Sequence, residues 1–388
     1  MPVWGMKYIQ IFFDTILPMQ LVNTNLPLIA KNHKIDYVIY TSKSDFRTIR
    51  DSLRNTTLPE LASIEIKTLN KRLLSNTYKA YGKSHNKELK KSAGKNQCVY
   101  FLNADIALSN RFFPNSLAKI KEGFNVVQVV CPRANKESIS EILSSKFKKT
   151  NGTISVSAKS LMQLWLKNIH PLMSYHLLPQ KEGSKFHPSS LMWRVNESKA
   201  VYVRAFHLHP ILIYPKKRRI RKFGHTIDDG WVYEEFKSKE IYIEERNRHF
   251  FSIELSGSET FYEAACQYGN SSSISRYIGS LNASTFPNLA SEVIIGDASK
   301  ESTLDAKATS ADLINKMLIE FVAFTNEKQK RKIPPVVLRL YLRTALYVRG
   351  LRTYIPQHFY LWLKKVHHRN LRVIFGIEVQ KIDSITSD

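Results

Sequence analysis

Three short stretches of the chain hold side chains that could bind a phosphorylated substrate or move a proton. The first is Asn103-Ala104-Asp105, which follows the apolar run at residues 98–102. A carboxylate at the end of such a strand can hold a divalent cation, and the cation can neutralise a diphosphate. An Asp after an apolar run also occurs where it caps a helix or closes a turn, so this motif alone predicts either role.

The second stretch, Phe206-His207-Leu208-His209-Pro210, places two histidines two residues apart. Along a strand, this spacing puts both side chains on one face. One histidine could complete a metal shell begun by Asp105, and the other could contact a phosphate or an acceptor. The alternative is a pair of ordinary strand histidines.

The third stretch contains the adjacent carboxylates Asp228 and Asp229, followed by Gly230 and Trp231. One of the two could have a raised pKa and act as a general base on an acceptor hydroxyl, while the alternative is a turn or helix cap. The basic run at 216–222 just before it is either a solvated loop or a segment that binds phosphate. Its first two residues, Lys216 and Lys217, are candidates for binding the donor phosphates. The candidates for acceptor binding are His187, Trp193 and Trp231, because a Trp can stack on a sugar ring, although most Trp residues belong to the core.

Short apolar runs and helical patterns alternate through the first 130 residues. This order predicts a mostly parallel α/β sheet, whose ligands lie beyond the carboxyl ends of the strands. Asp14, Thr41 and Ser42 therefore join Asn103 and Asp105 as candidate ligand-binding residues. The predicted strands are 8–17, 37–40, 64–66, 98–102 and 126–130, and the predicted helices are 26–32, 45–53, 76–93 and 115–122.

The composition narrows the class of protein further. The 388 residues include 58 Lys and Arg against 33 Asp and Glu, a net charge of +25 that favours polyanionic partners. The 43% hydrophobic content excludes a chain that is disordered throughout. Three scattered cysteines predict neither a disulfide framework nor a four-ligand zinc site. Residues 1–17 lack a basic segment ahead of their apolar run, so we expect a cytoplasmic protein.

The C-terminal tail is the strongest compositional signal. Residues 328–377 contain twelve Lys and Arg and no Asp or Glu, with apolar residues interleaved at helical spacing and a second stripe that includes Phe359 and Trp362. Aromatic and basic side chains on short helices favour an anionic membrane surface. Helices packed on the rest of the protein with a solvated basic face are the alternative. Nucleic acid is a less favoured partner, because no nucleic-acid-binding motif accompanies the charge.

Taken together, the strings Asn103-Ala104-Asp105, HPSSLMW, FHLHPILI and HTIDDGW resemble a group of bacterial nucleotide-sugar glycosyltransferases with a GT-A-type fold. The resemblance covers roughly residues 7–255. It implies a GT-A-like (Rossmann-like) catalytic domain over 1–255 with a mostly parallel sheet and flanking helices. A linker or small helical subdomain (256–326) and the basic, aromatic, membrane-associating tail (327–388) would follow it.

The resemblance also implies roles for particular residues. Asp105 would bind Mn²⁺ or Mg²⁺ and the donor diphosphate, with His207 or His209 as the downstream metal ligand. Asp228 or Asp229 would be the catalytic acidic residue, and His85 would lie near the nucleotide. Asn103 stands where the family has an acidic residue, which removes one charge from the metal site.

The leading hypothesis is therefore a glycosyltransferase that uses a nucleotide-sugar donor and a polysaccharide or lipid-linked acceptor, peripheral to the cytoplasmic face of the membrane. A non-catalytic protein that binds nucleic acid or an anionic surface is the alternative. A nucleotidyl- or phosphotransferase would share the phosphate chemistry, but the sequence has no P-loop or kinase signature.

Overall fold

The computed structural model describes residues 1–174, 177–178, 190–195, 199–223, 226–228, 230–258, 288–299 and 301–329. The described residues fall into two units, the first containing those up to Ser310 and the second containing 311–329. The predicted tail over 327–388 lies almost wholly outside the described residues, as do the candidates His187 and Asp229. The predicted boundary near residue 255 is followed by an undescribed stretch, so the domain boundaries stay predictions.

Most of the helices are short, and α7 and α13 are the long ones. In chain order they are α1 (Met6–Ile11), α2 (Leu17–Gln20), α3 (Leu26–Ala30), α4 (Phe46–Arg54), α5 (Leu58–Leu61), α6 (Lys71–Leu74), α7 (Thr77–Ser92), α8 (Phe112–Lys121), α9 (Lys136–Ile142), α10 (Ala158–Lys167), α11 (Pro171–Ser174), α12 (Trp231–Glu235) and α13 (Leu304–Gln329). π-Helical turns at Phe12–Ile16 and Leu143–Phe147 extend α1 and α9.

The strands form four small sheets. They are β1 (Asp36–Ser42), β2 (Ser63–Leu69), β3 (Val99–Tyr100), β4 (Ile106–Leu108), β5 (Val126–Val129), β6 (Arg133–Asn135), β7 (Leu177–Leu178), β8 (Ser190–Val195), β9 (Ala200–Ala205), β10 (His209–Ile213), β11 (Ile241–Ile243), β12 (Ser252–Ser256) and β13 (Val293–Gly296). The sheet orders are β1-β2, β11-β5-β10-β3, β4-β12-β6 and β13-β9-β8-β7.

The α/β class is confirmed, but the sheets are mixed rather than mostly parallel. β1 and β2 are parallel, as the strand–helix–strand pattern predicts, with α4 and α5 between them. β10 is antiparallel to both β3 and β5, and β12 is antiparallel to β4 but parallel to β6. The alternation of strands and helices does not specify these directions, because most of the later strands are only two to six residues long and pair with partners far along the chain.

The predicted strand at 8–17 is wrong, because this segment is helical from Met6 to Gln20. Its buried side chains include Ile9, Phe12, Ile16 and Met19, which recur at the three- and four-residue spacing of a helix. The adjoining extended backbone is instead Met1–Val3, which runs parallel to β1: Val3 N donates to Tyr40 O at 2.8 Å and Tyr40 N donates to Met1 O at 2.8 Å. Because the apolar residues follow one another almost without interruption, the three- and four-residue spacing of the helix could not be recognised in the sequence.

A buried arginine ties the segment before β13 to β9. Arg204, 7% exposed on β9, donates from Nη1 to the carbonyls of Leu289 and Ala290 at 3.2 and 3.3 Å. Its Nη2 lies 3.3 Å from Glu292 Oε1, and its Nε donates to Ser310 Oγ at 3.2 Å. The guanidinium therefore satisfies acceptors that would otherwise be buried without a donor.

We expect Arg204→Met to lower the free energy of unfolding by about 3 kcal/mol, because it leaves several buried acceptors and part of the Glu292 charge unpaired. Urea unfolding of the full chain measures the change. Arg194→Met on the neighbouring β8 is the matched control, since Arg194 is exposed. An equal loss in both variants would show that the Arg204 contacts do not carry this stability.

No helix within the described parts of the chain is long and apolar enough to cross a membrane.

Candidate active site

Strand pairing in the sheet β4-β12-β6 brings two carboxylates and an arginine together. In β12, Glu254 stands opposite Ile106 of β4 on one side and opposite Arg133 of β6 on the other. Asp105 immediately precedes Ile106, and its carbonyl accepts from Leu255 N at 2.9 Å. The register therefore puts Arg133 directly opposite Glu254, and Asp105, one residue before β4, lines the same cavity as both.

These side chains line a cavity of about 110 Å³ together with Lys7, Tyr8 and Ile11 of α1, Lys136 at the start of α9, and residues 255–257 at the end of β12. Arg133 Nη2 lies 3.2 Å from Glu254 Oε1, and Ser256 Oγ donates to the same oxygen at 3.2 Å. Trp165 Nε1 donates to the Arg133 carbonyl at 2.9 Å, which fixes the backbone of this residue. The cavity thus combines two acidic and three basic side chains, and the Trp165 hydrogen bond fixes the backbone of Arg133.

The electrostatics of the cavity are dominated by Asp105. Its burial and the neighbouring Glu254 carboxylate raise the pKa of Asp105 to about 7, against the smaller opposing effects of Arg133 and Lys7. Burial, and then the Asp105 and Glu254 charges, also raise the pKa of the Tyr81 and Tyr8 hydroxyls. Both tyrosines therefore stay protonated at neutral pH and can donate hydrogen bonds near the two carboxylates.

A row of aromatic rings leads away from the cavity along α7. Tyr81 contacts Trp4 edge-on at 5.5 Å between centroids, and it contacts His85, one turn further along the helix, at 5.8 Å. His85 lies 5.0 Å from the Phe101 ring. Three of the four exposed large apolar side chains among the described residues, Met6, Tyr8 and Tyr78, are on α1 and α7 as well. The exposed rings of Tyr8 and Tyr78 suit stacking on a planar base or on the apolar face of a sugar.

His85 is the predicted site residue with the clearest structural signature. It is 6% exposed, and no hydrogen-bond partner for its Nε2 is found among the described residues. Burial, with the nearby chain N-terminus and His209 adding to it, lowers the pKa of His85 well below its usual range. The imidazole is therefore neutral at physiological pH.

The structure does not bring the two predicted histidine ligands to Asp105. His209 Nε2 donates to the Phe101 carbonyl at 2.7 Å, and His207 Nδ1 donates to the Asp228 carbonyl at 3.3 Å. Within the described residues, no three His, Cys, Asp or Glu side chains converge as a metal site would need. The predicted set of Asp105, His207 and His209 is thus not assembled.

The two predicted tryptophans lie in the core. Trp193 on β8 is 3% exposed and contacts Tyr202, while Trp231 is also 3% exposed and contacts Phe223 and Phe236. Neither indole offers a ring face to a sugar in this structure. Among the described residues, the exposed large rings are instead Tyr8 on α1 and Tyr78 on α7, to which the sequence analysis assigned no role.

The other predicted ligand-binding residues divide into two groups. Thr41 and Ser42 are buried at the carboxyl end of β1, where Ser42 Oγ accepts from Asp45 N at 3.0 Å. Asp14 is exposed on the π-helical turn after α1, so the strand-end argument that selected it does not apply. Lys216 and Lys217 are exposed. They lie near the C-terminal end of α7, because the following residue, Arg218, closely approaches Gly94 just beyond that helix. That end of α7 is about 17 Å from Tyr81 at 1.5 Å per residue.

A second depression, open to solvent and about 570 Å³ in volume, is lined by residues 30–35 and 59–63. It adjoins the amino-terminal ends of β1 and β2. Ligands of parallel α/β units bind at the opposite, carboxyl ends of the strands. The smaller cavity at Asp105 brings two acidic and three basic side chains together, which makes it the better candidate for the active site.

Comparison of the chain with protein-family models, with curated proteins and with solved structures finds no match.

Proposed function

We propose that this protein transfers a sugar from a nucleotide-sugar donor to an acceptor hydroxyl, with the donor bound at the Asp105 cavity. The observation that carries the proposal is the single cavity in which Asp105 and Glu254 lie beside Arg133, Lys136 and Lys7. A nucleotide-sugar needs cationic groups for its diphosphate and hydrogen-bonding groups for its sugar hydroxyls. This cavity supplies both.

The size of the cavity limits what it can hold. At about 110 Å³ it is smaller than the roughly 300 Å³ of the smallest ordinary ligand pockets. It therefore suits one sugar ring or the phosphates rather than a whole nucleotide-sugar. We assign the base to the partly exposed rings of Trp4 and Tyr81, since Tyr81 lies near the same carboxylates, with the buried His85 next to Tyr81.

The residues present fit a divalent cation of the Mg²⁺ type. Asp105 and Glu254 supply hard oxygen ligands, and Asn103 Oδ1 is buried with no hydrogen-bond partner among the described residues. Mg²⁺ commonly takes one or two carboxylates and completes its shell with phosphate oxygens and water. Such a cation would neutralise the leaving diphosphate. Arg133 competes for Glu254 and contributes positive charge of its own to the cavity.

We assign deprotonation of the acceptor hydroxyl to Asp228 or Asp229, as the resemblance implies. The hydrogen bond from His207 Nδ1 to the Asp228 carbonyl fixes the backbone at this position. The acceptor class, a polysaccharide or lipid-linked sugar at the cytoplasmic face of the membrane, is likewise part of the proposal.

A thermal-shift screen against UDP-, GDP-, CMP- and dTDP-sugars, each with Mn²⁺, with Mg²⁺ or with EDTA, tests the function. We expect one nucleotide class to raise the midpoint, because a ligand at 100 times its Kd stabilises the folded state by about 2.7 kcal/mol. Arg133→Met should abolish the shift. Arg47→Met, an exposed arginine of α4, should retain it. No shift with any donor at millimolar concentration would overturn the proposal.

The second candidate function is a non-catalytic protein that binds a polyanion. The observation in its favour is the exposed basic run at 216–222, in which six of the seven residues are Lys or Arg. A shift with duplex DNA, together with no response to any nucleotide-sugar, would favour this candidate.

A further inference from the structure

One face of the first unit carries nine exposed cations. We call it the basic face, and it combines three lysines of α7 with the segment that runs beside that helix. Its members are Lys83, Lys87, Lys90, Lys216, Lys217, Arg218, Arg219, Arg221 and Lys222.

Specific contacts hold the segment against the helix. Phe223 N donates to Asn86 Oδ1 at 3.2 Å, and Asn86 Nδ2 donates back to Phe223 O at 3.0 Å. At the other end, Gly94 N donates to Pro215 O at 3.0 Å. Gly94 has a φ of +71°, and a Cβ there would lie 2.8 Å from Arg218 Cγ, so glycine permits this close approach.

The helical repeat aligns the lysines with this segment. Lys83 and Lys90 lie three residues before and four residues after Asn86, so they share its stripe of the helix surface. Because Asn86 and Gly94 both contact the segment, the lysines and the run at 216–222 form one continuous surface. The fold, rather than the sequence run alone, creates this concentration of charge.

The positive charge is almost unopposed. Glu235 lies 3.9 Å from Lys217 Nζ, and its Oε2 accepts from Arg221 N at 3.2 Å. Glu88 of α7 faces away, since it binds Lys67 and the Tyr40 hydroxyl. In the part of the chain that the structure describes, none of the other eight cations forms an ion pair with a carboxylate.

We propose that the basic face docks the protein on an anionic lipid bilayer. Clusters of four to eight Lys and Arg suffice to bind acidic headgroups, and a bilayer requires neither a groove nor a stacking ring. Proteins that bind single-stranded nucleic acid use exposed aromatic rings as stacking platforms. The exposed large apolar residues among those described (Met6, Tyr8, Tyr78 and Leu304) are not in the basic face.

The proposal is independent of donor binding at the Asp105 cavity and of the predicted role of the tail. Apart from Lys83, the basic face lies beyond Asn86 toward the end of α7 that is remote from Tyr81, and none of its nine cations lines the Asp105 cavity. Residues 328–377 carry twelve further cations outside the described region. The variants used in the test must therefore leave these twelve cations unchanged.

Vesicle co-sedimentation of the full chain tests the proposal, with 30% phosphatidylserine in phosphatidylcholine against phosphatidylcholine alone. The face variant carries five substitutions: Lys83→Gln, Lys90→Gln, Lys216→Gln, Arg219→Gln and Lys222→Gln. The matched control removes five exposed cations elsewhere: Lys31→Gln, Lys34→Gln, Arg47→Gln, Lys121→Gln and Lys146→Gln. Both variants have the same net charge and the same tail.

We expect the face variant to bind the anionic vesicles at least tenfold more weakly than the unsubstituted chain, and the control to stay within twofold of it. High salt should remove most of the binding. Equal binding by the two variants would overturn the proposal. So would a face variant that keeps vesicle binding but loses binding to a 25-base-pair DNA duplex. Thermal midpoints of both variants confirm that each one folds.

Discussion

Asp105→Asn should lower turnover of the donor by about 100-fold, the size of effect seen when one charge-stabilising group is removed from an active site. The Asp105 carboxylate lies beside Glu254 and Arg133 in the cavity. Among the cavity residues it is the best candidate for binding a cation that neutralises the leaving diphosphate. Asn has nearly the same size, so the substitution removes the charge without opening a cavity. Glu254→Gln should have a smaller effect in the same direction, because Arg133 already neutralises part of its charge.

The measurement is the release of nucleoside diphosphate from whichever donor raises the thermal midpoint, since slow hydrolysis does not require the natural acceptor. Asp14→Asn is the matched control, because Asp14 is exposed on the turn after α1 and does not line the cavity. Titration calorimetry with the same donor separates lost binding from lost turnover. If Asp105→Asn and Asp14→Asn released diphosphate at the same rate, the cavity would not be the active site.

The sequence predicts the local parts of this site better than the distant ones. The strand–helix alternation places β1, β2 and α7 close to their observed bounds, and the strand-end rule selects Asp105 and Thr41. Each of these inferences uses residues within about twenty positions of one another. His85 came from the resemblance, and the structure finds it buried among aromatic rings beside Phe101.

Glu254 and Arg133 could not be found in the same way. They meet Asp105 only because β12 enters between β4 and β6, a pairing of segments more than 100 residues apart. No periodicity reports such a pairing. Lys7 and Tyr8 were missed for another reason: the apolar run that begins at Tyr8 predicted a strand, whereas a helix places both residues at the cavity. One signal was available, since Glu254 is the one charged residue in the mainly apolar stretch at 250–255.

The raised pKa of Asp105 also leads to a prediction about stability that does not depend on any substrate. Burial and the Glu254 charge raise the pKa of Asp105 from 3.8 to about 7 in the folded protein. Between these two values the folded state binds more protons than the unfolded state. The free energy of unfolding contributed by Asp105 therefore falls as pH rises from about 4 to about 7, and the loss is complete above pH 7.

Asp105→Asn removes this titration, so the variant should be more stable than the unsubstituted chain at pH 8 and equally stable near pH 4. Each pKa unit corresponds to about 1.4 kcal/mol, and three units set an upper limit of about 4 kcal/mol. Because Asp105 is only partly buried, we expect a gain of about 2 kcal/mol at pH 8.

Urea unfolding of both chains between pH 4.5 and 8, with EDTA present so that no bound cation stabilises the carboxylate, measures the difference. Asp14→Asn should run parallel to the unsubstituted chain across this range. Parallel curves for Asp105→Asn as well would mean that the folded state does not disfavour the Asp105 charge. A gain at pH 8 combined with a loss of turnover would instead show that the chain retains a destabilising carboxylate because its activity requires one, as expected of an active site.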